Sequence, residues 1–341
     1  MVLPQQATKP TLYFIGVTTT ESSIMKVFPE WAKALNLGDV QIKGIDLPLH
    51  APVEQHREVV QFLKDDPLSM GALITAHKLD MYPACHDLFD YIDPFAEKLS
   101  EVSCFSKRDG QFRAHAKDPI SSGLALEAFV PENFWQTHGG EVLLIGAGGS
   151  SLAMSLYFAQ EKFGANVPKQ ITIANRSQPR LASAEASLSG INDKISFRYL
   201  HGPTPEDNDK IIAALPEYSL VVNATGLGKD IPGSPTTDAV QYPKNSLVWE
   251  INYRGDLIFM DQANAQKAEK DMHVEDGWIY FIHGWTQVIS EVFDIEIDNK
   301  MMGELSDIAK SFNIQFNFRL LQVENIKYSE GDCTPIERHS A

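Results

Sequence analysis

Cysteine is scarce in this chain of 341 residues: only Cys85, Cys104 and Cys333 occur. An odd number at wide spacing argues against a disulfide framework or a thiolate zinc site, and points to reduced thiols in a cytoplasmic protein. Long apolar runs are missing too, so no segment reads as a membrane span and no membrane partner is expected. Residues 1–10 lack the charged-then-apolar layout of a secretion signal. Positive charge is in deficit: 29 Lys and Arg against 45 Asp and Glu give a net charge of −16. That balance disfavours nucleic acid as a partner, because neutralising phosphates needs a basic face. The 10 histidines show no ligand spacing such as His-x-x-x-His, so no metal is expected. Neither a serine-hydrolase elbow nor an internal repeat appears.

What is present is an alternation of short apolar runs and helical patterns, the mark of a parallel sheet covered by helices. Residues 11–17 read as a strand, 24–35 as a helix, 41–47 as a strand, 53–64 as a helix and 71–75 as a strand. Pro29 falls in the first turns of the 24–35 helix, where a proline is tolerated only near the start. Residues 98–105 and 111–115 are expected to form a strand pair around the turn at 107–110. A helix is expected from Asp118. Helical patterns at 279–293 and 301–312 are expected to pack back on the first domain, and the tail after Lys327 to fray.

The most specific signal lies in residues 141–180. Val142-Leu143-Leu144-Ile145 reads as a buried strand, and Gly146-Ala147-Gly148-Gly149-Ser150-Ser151 follows at once. A helical pattern and a second strand, Gln170-Ile171-Thr172-Ile173-Ala174, complete the opening of a dinucleotide-binding βαβ unit. Glycines let the backbone approach a pyrophosphate, and the helix N-terminus offers free N–H groups. The second strand ends in Asn175-Arg176-Ser177-Gln178-Pro179-Arg180, with no acid to hold a ribose hydroxyl. Two guanidiniums would bind the extra 2′-phosphate that a carboxylate would repel, so NADP is preferred to NAD. The expected fold class is therefore α/β with two domains. One is an N-terminal domain with a mixed or parallel sheet that binds substrate, residues 1–121 plus 277–341. The other is a Rossmann-type NADP-binding domain, residues 122–276.

Oxidation of an alcohol by NADP⁺ needs a group that takes the hydroxyl proton. Lys78 follows a strand and Asp118 opens a helix, both positions that can face the ligand crevice. Spacing alone does not pair them: a loop lysine is usually solvated, and an Asp before Pro119 is often a helix cap. The wider pattern resembles the shikimate dehydrogenase family. The glycine loop, the Asn175-Arg176-Ser177 turn with Arg180, the segment Asn223-Ala224-Thr225-Gly226-Leu227-Gly228 and the segment Glu250-Ile251-Asn252-Tyr253 match it in order and rough spacing. Lys78 in Ile74-Thr75-Ala76-His77-Lys78 and Asp118 in Ala116-Lys117-Asp118 match its catalytic segments.

The resemblance implies that Lys78 and Asp118 are catalytic. It implies a cofactor site of Gly146, Ala147, Gly148, Gly149, Ser150, Asn175, Arg176, Ser177, Arg180, Asn223, Ala224, Thr225, Gly226 and Gly277. It places the substrate among Ser22, Ser23, Thr75, Ser103, Lys117, Tyr253 and Gln287. The departures cluster on that substrate side. The family's two carboxylate-binding serines fall on Ser22 and Ile24, with Ser23 as a substitute; its asparagine falls on Ser103 and its threonine on Lys117. The segment before Lys78 lacks a proline and is one residue short. His283-Gly284-Trp285-Thr286-Gln287 either lines a pocket or belongs to the core. These readings imply an NADP-dependent dehydrogenase, monomer or homodimer, acting on a small hydroxylated polyol, cyclitol or hydroxy acid other than shikimate. The alternatives are a true shikimate or quinate dehydrogenase, and a non-catalytic protein that senses NADP(H) or a metabolite.

Overall fold

The computed structural model describes residues 3–229, 231–298 and 300–312. Two six-stranded sheets form two lobes. The first contains β1 (Thr11–Gly16), β2 (Gln41–Asp46), β3 (Ser69–Ile74), β4 (Tyr91–Ile92), β5 (Cys104–Arg108) and β6 (Gln111–His115). Its order is β2-β1-β3-β5-β6-β4. β1 runs parallel to β2 and β3, and β5 runs antiparallel to β3 and β6, so the sheet is mixed. The second sheet holds β7 (Val142–Ile145), β8 (Gln170–Asn175), β9 (Ser196–His201), β10 (Leu220–Asn223), β11 (Leu247–Glu250) and β12 (His273–Glu275). It is parallel throughout, in the order β12-β11-β10-β7-β8-β9. That is the doubly wound order, and the crevice at its reversal lies between the carboxyl ends of β7 and β10. The α/β class expected from the sequence is the one observed.

Local chemistry explains where elements differ from expectation. Residues 98–105 do not form one strand. Residues Pro94–Leu99 are helical, because Pro94 pre-sets the first turn and the Asp93 carboxylate accepts from the Ala96 N–H at 2.8 Å. Ser100, in the left-handed region at φ 51°, ends that helix, and β5 starts only at Cys104. The expected turn also tightens, since Lys107 and Arg108 belong to β5. Pro29 sits in the middle of the helix Ile24–Ala34. Its ring is exposed, so the Met25 carbonyl that loses an N–H partner can turn to water. The nucleotide helix begins at Gly149, and Lys78 is itself the first residue of a helix, Lys78–Cys85.

The helix Trp278–Phe293 returns to the first lobe. Trp278, Phe281, Ile282, Trp285, Val288 and Ile289 share one buried cluster with Leu12, Phe14, Ile24, Phe28 and Trp31. Phe14 and Trp285 meet edge to face at 5.1 Å. The helix at 300–312 joins them, with Trp31 Nε1 donating to the Leu305 carbonyl at 2.8 Å. The tail after Lys327 lies outside the described residues. Among the described residues, no helix is long and apolar enough to cross a membrane.

Candidate active site

The nucleotide loop is shaped by close backbone approach. Gly146 has φ +117°, and a Cβ there would stand 2.5 Å from the Ala224 carbonyl. Only glycine fits that conformation without strain. Ser151 Oγ donates to the Gly146 carbonyl at 2.7 Å and fixes the turn from below. At Gly148, which precedes the helix Gly149–Phe158, a Cβ would meet nothing within 4 Å. The loop therefore has free space on the side where its N–H groups begin a helix, the cradle an anion needs. Asn175 ends β8, and Arg176 and Arg180 beyond it are both exposed. Neither arginine has a carboxylate partner among the described residues. These residues fit a dinucleotide with a 2′-phosphate.

Asn223 and Thr225 are engaged with their own lobe. Asn223 Nδ2 donates to Glu250 Oε2 at 2.5 Å, and its Oδ1 accepts from the Thr225 N–H at 3.0 Å and hydroxyl at 2.6 Å. Glu250 is fully buried, and Asn252 donates to its other oxygen. Burial pushes the Glu250 carboxyl up to about 7, against the three donations and the Lys229 charge that favour its ionised form. This brace ties the turn after β10 to the turn after β11, beside the glycine loop. Gly277 closes it, since a Cβ there would collide with the Ile251 carbonyl and the backbone of Asn252. Gly277→Ala is expected to destabilise the chain by about 1–3 kcal/mol, because the neighbour is backbone and cannot step aside. A fall in the urea midpoint at unchanged m-value would show it.

On the first lobe, Lys78 Nζ donates to Asp118 Oδ2. The two side chains are 21% and 9% exposed, so the pair is accessible yet largely desolvated. Each residue opens a helix, and the Asp118 carboxylate makes no capping hydrogen bond. Burial opposes the charge on Lys78. Asp118 and Glu101 more than offset it, and the ammonium is held above the ordinary lysine range. Tyr280 stands across the cleft. It lies near Ser150 of the glycine loop, and its hydroxyl is pushed well above the usual phenol range by burial and by Asp118, with Ser150 opposing them. The Lys78–Asp118 pair and the glycine loop thus share a neighbour.

The remaining residues separate into two groups. Ser22, Ser23 and Tyr253 line one pocket of about 140 Å³, together with Glu21, Lys26, Arg254 and Phe312. β1 and β3 run parallel, so the turn bearing Ser22 and the helix bearing Lys78 leave the same edge of the sheet. Ile24 is fully buried in the apolar cluster, and Ser23 lines the pocket together with Ser22. Ser103 and Lys117 form the second group. Ser103 Oγ accepts from the Lys117 N–H at 2.7 Å, and Lys117 Nζ pairs with Glu291 at 2.5 Å. Glu291 also faces His115 at 3.4 Å and Arg108 at 3.6 Å. Burial opposes its charge, but the Lys117 hydrogen bond and the neighbouring His115 and Arg108 outweigh it and hold the carboxyl below the usual range. Thr75 is exposed, with its hydroxyl on the Ile15 carbonyl. Gln287 is partly buried and makes no hydrogen bond among the described residues. Sequence reasoning missed Glu101, Tyr280 and Glu291. No local signal marks them, because each matters through partners on other elements.

Two α/β lobes, a glycine loop at the reversal of a parallel sheet and a lysine–carboxylate pair beside it define the class: a two-lobed fold of the dinucleotide-binding dehydrogenase type. Within that class, the fold is the one found in shikimate and quinate dehydrogenases. Quinate dehydrogenase from Corynebacterium glutamicum in complex with NAD superposes with a TM-score of 0.66 at 18% identity, over 89% of this chain and 99% of that one. Shikimate dehydrogenase from Thermus thermophilus, in complex with NADP(H) and shikimate, gives 0.64 at 18%, over 88% and 99%. In sequence, the chain is similar to the NADP⁺ shikimate dehydrogenase of Streptococcus thermophilus, at 28% identity over 181 residues. That match spans 53% of this chain and 59% of the relative. The Halothermothrix orenii enzyme of the same name is 23% identical over 75% of this chain and 85% of its own. No protein-family model matches the chain.

Proposed function

We propose that the chain is an NADP-dependent oxidoreductase acting on the CH–OH group of a small hydroxylated acid, cyclitol or polyol other than shikimate. The observation that carries this reading is the Lys78–Asp118 pair, partly desolvated and set beside a dinucleotide loop. Residues 1–121 and 277–341 would form the substrate lobe and 122–276 the NADP lobe. Gly146, Ala147, Gly148, Gly149 and Ser150 would hold the diphosphate. Asn175, Arg176, Ser177 and Arg180 would hold the adenosine end. The Asn223–Glu250 brace and Gly277 would support the loop from beside it. Bound NADP supplies the hydride donor or acceptor.

The proton is the protein's task. Lys78 takes it from the substrate hydroxyl in oxidation and returns it to the carbonyl oxygen in reduction. Asp118 orients the ammonium and keeps it charged, so at neutral pH Lys78 is poised as a donor. Ser22 and Ser23 would receive an anionic or hydroxylated end of the substrate, with Tyr253 closing the pocket from the other lobe.

The shikimate and quinate activities of the relatives are the direct alternative. Against shikimate stand Ile24, withdrawn into the core, and Lys117, held by Glu291 where the family keeps a small polar contact. Each lost partner of a buried polar group costs about 1–3 kcal/mol. Turnover should be measured with NADP⁺ on shikimate, quinate and a panel of cyclitols and sugar acids. A kcat/KM for shikimate below about 10⁴ M⁻¹s⁻¹, with a higher value for another compound, is expected. Efficient shikimate turnover would assign the chain that activity instead. NADPH binding with no turnover of any compound would mark a sensor.

A further inference from the structure

Glu101 lies on the segment that joins the helix Pro94–Leu99 to β5, and it is fully buried. Neither carboxylate oxygen has a hydrogen-bond partner among the described residues. Its backbone is firmly placed: the Glu101 N–H donates to Ala96 at 3.3 Å, and the next residue, Val102, donates to the Lys78 carbonyl at 3.2 Å. The side chain crosses to the other lobe. A Cβ added at Gly149, the first residue of the nucleotide helix, would collide with Glu101 Oε2. A buried carboxylate without a partner therefore rests against the loop where a dinucleotide diphosphate is held.

We propose that Glu101 is a positioning residue which makes cofactor binding depend on a proton: the carboxylate takes one up when NADP enters the glycine loop. The inference rests on the NADP reading of that loop. Two anions cannot share one desolvated helix N-terminus cheaply, and neutralising the carboxylate is the least costly way out. The ionisable groups that face Glu101 are Lys78, Asp118 and Tyr280, from three separate helices. Burial and the Asp118 charge push the Glu101 carboxyl up to about 8, with Lys78 opposing them. Lys78 and Tyr280 are held above their own usual ranges, well clear of the pH at which Glu101 changes charge. The step balances as Glu101 carboxylate plus one solvent proton plus NADP⁺, giving the complex with the neutral carboxyl.

The test is NADP⁺ binding by calorimetry across pH, in buffers of different ionisation enthalpy, on the full chain and on Glu101→Gln. In the unmodified protein, the Kd should rise about tenfold between about pH 7 and pH 9, with uptake approaching about one proton at the upper end. Glu101→Gln keeps the shape without the charge. It should remove both the rise and the uptake, and Glu101→Ala should do the same if the amide packs poorly. The free proteins supply a second readout. The raised carboxyl stabilises the fold fully below its unfolded value and loses that contribution as pH climbs through about 8. The melting temperature should therefore fall with pH more steeply in the unmodified protein than in Glu101→Gln. NADP⁺ bound without proton uptake, or an unchanged pH profile in both variants, overturns the proposal alone. No NADP⁺ binding at any pH overturns the reading of the nucleotide lobe and this coupling with it.

Discussion

Lys78→Ala is expected to lower turnover of the true substrate by about 10²–10⁴-fold, the usual contribution of a general acid or base. NADP⁺ affinity should stay within a few-fold, because the residues proposed to hold the cofactor lie mainly on the other lobe. Asp118→Asn should also slow the reaction, and it should move the pH profile. The ammonium loses the carboxylate that supports it against desolvation, so the Lys78 pKa falls and oxidation becomes efficient at lower pH. Steady-state rates from about pH 6 to pH 10, with binding measured separately, check both statements. If Lys78→Ala keeps more than about a third of the activity, Lys78 is not the proton-transfer group.

The second large effect concerns the nucleotide. NADP⁺ should bind at least about tenfold more tightly than NAD⁺, or about 1.4 kcal/mol. Arg176 and Arg180 are exposed at the tip of β8, with no internal carboxylate competing for them among the described residues. A charge-assisted hydrogen bond contributes about 1.5–3 kcal/mol, so Arg176→Ala should weaken NADP⁺ by about 10–100-fold. NAD⁺, which lacks the 2′-phosphate, should be nearly unaffected. Parallel fluorescence titrations with both nucleotides read the difference, and equal curves in the unmodified protein would contradict it.

Much of the fold could be read from periodicity. The βαβ unit at 141–180 lies where it was expected, because a buried parallel strand followed by a glycine turn has few alternatives. The expectation failed where capping outweighed apolar pattern: Asp93 and Pro94 start a helix in front of residues that otherwise resemble a strand. The site was legible to different depths. The lysine and the aspartate, 40 residues apart, were paired only through a family resemblance, and the structure brings their side chains into contact. Glu101 and Tyr280 were invisible because their surroundings come from opposite lobes. Lys117 shows the same limit. Its sequence neighbour is Asp118, but its charge is directed to Glu291, 174 positions away.

The hydrogen bond from Trp31 to Leu305 spans 274 positions, and it implies an order of events during synthesis. The second sheet is built from one continuous stretch of chain, β7 to β12, and can close as soon as that stretch has left the ribosome. The first sheet cannot. Its face bearing Leu12, Phe14 and Leu73 is covered by side chains from the helix Trp278–Phe293, which is made much later. Until then a broad apolar surface stands open on the part of the protein that emerged first. The nascent chain therefore carries a finished lobe and an unfinished one together, and late arrest of translation would leave an aggregation-prone half joined to a folded one.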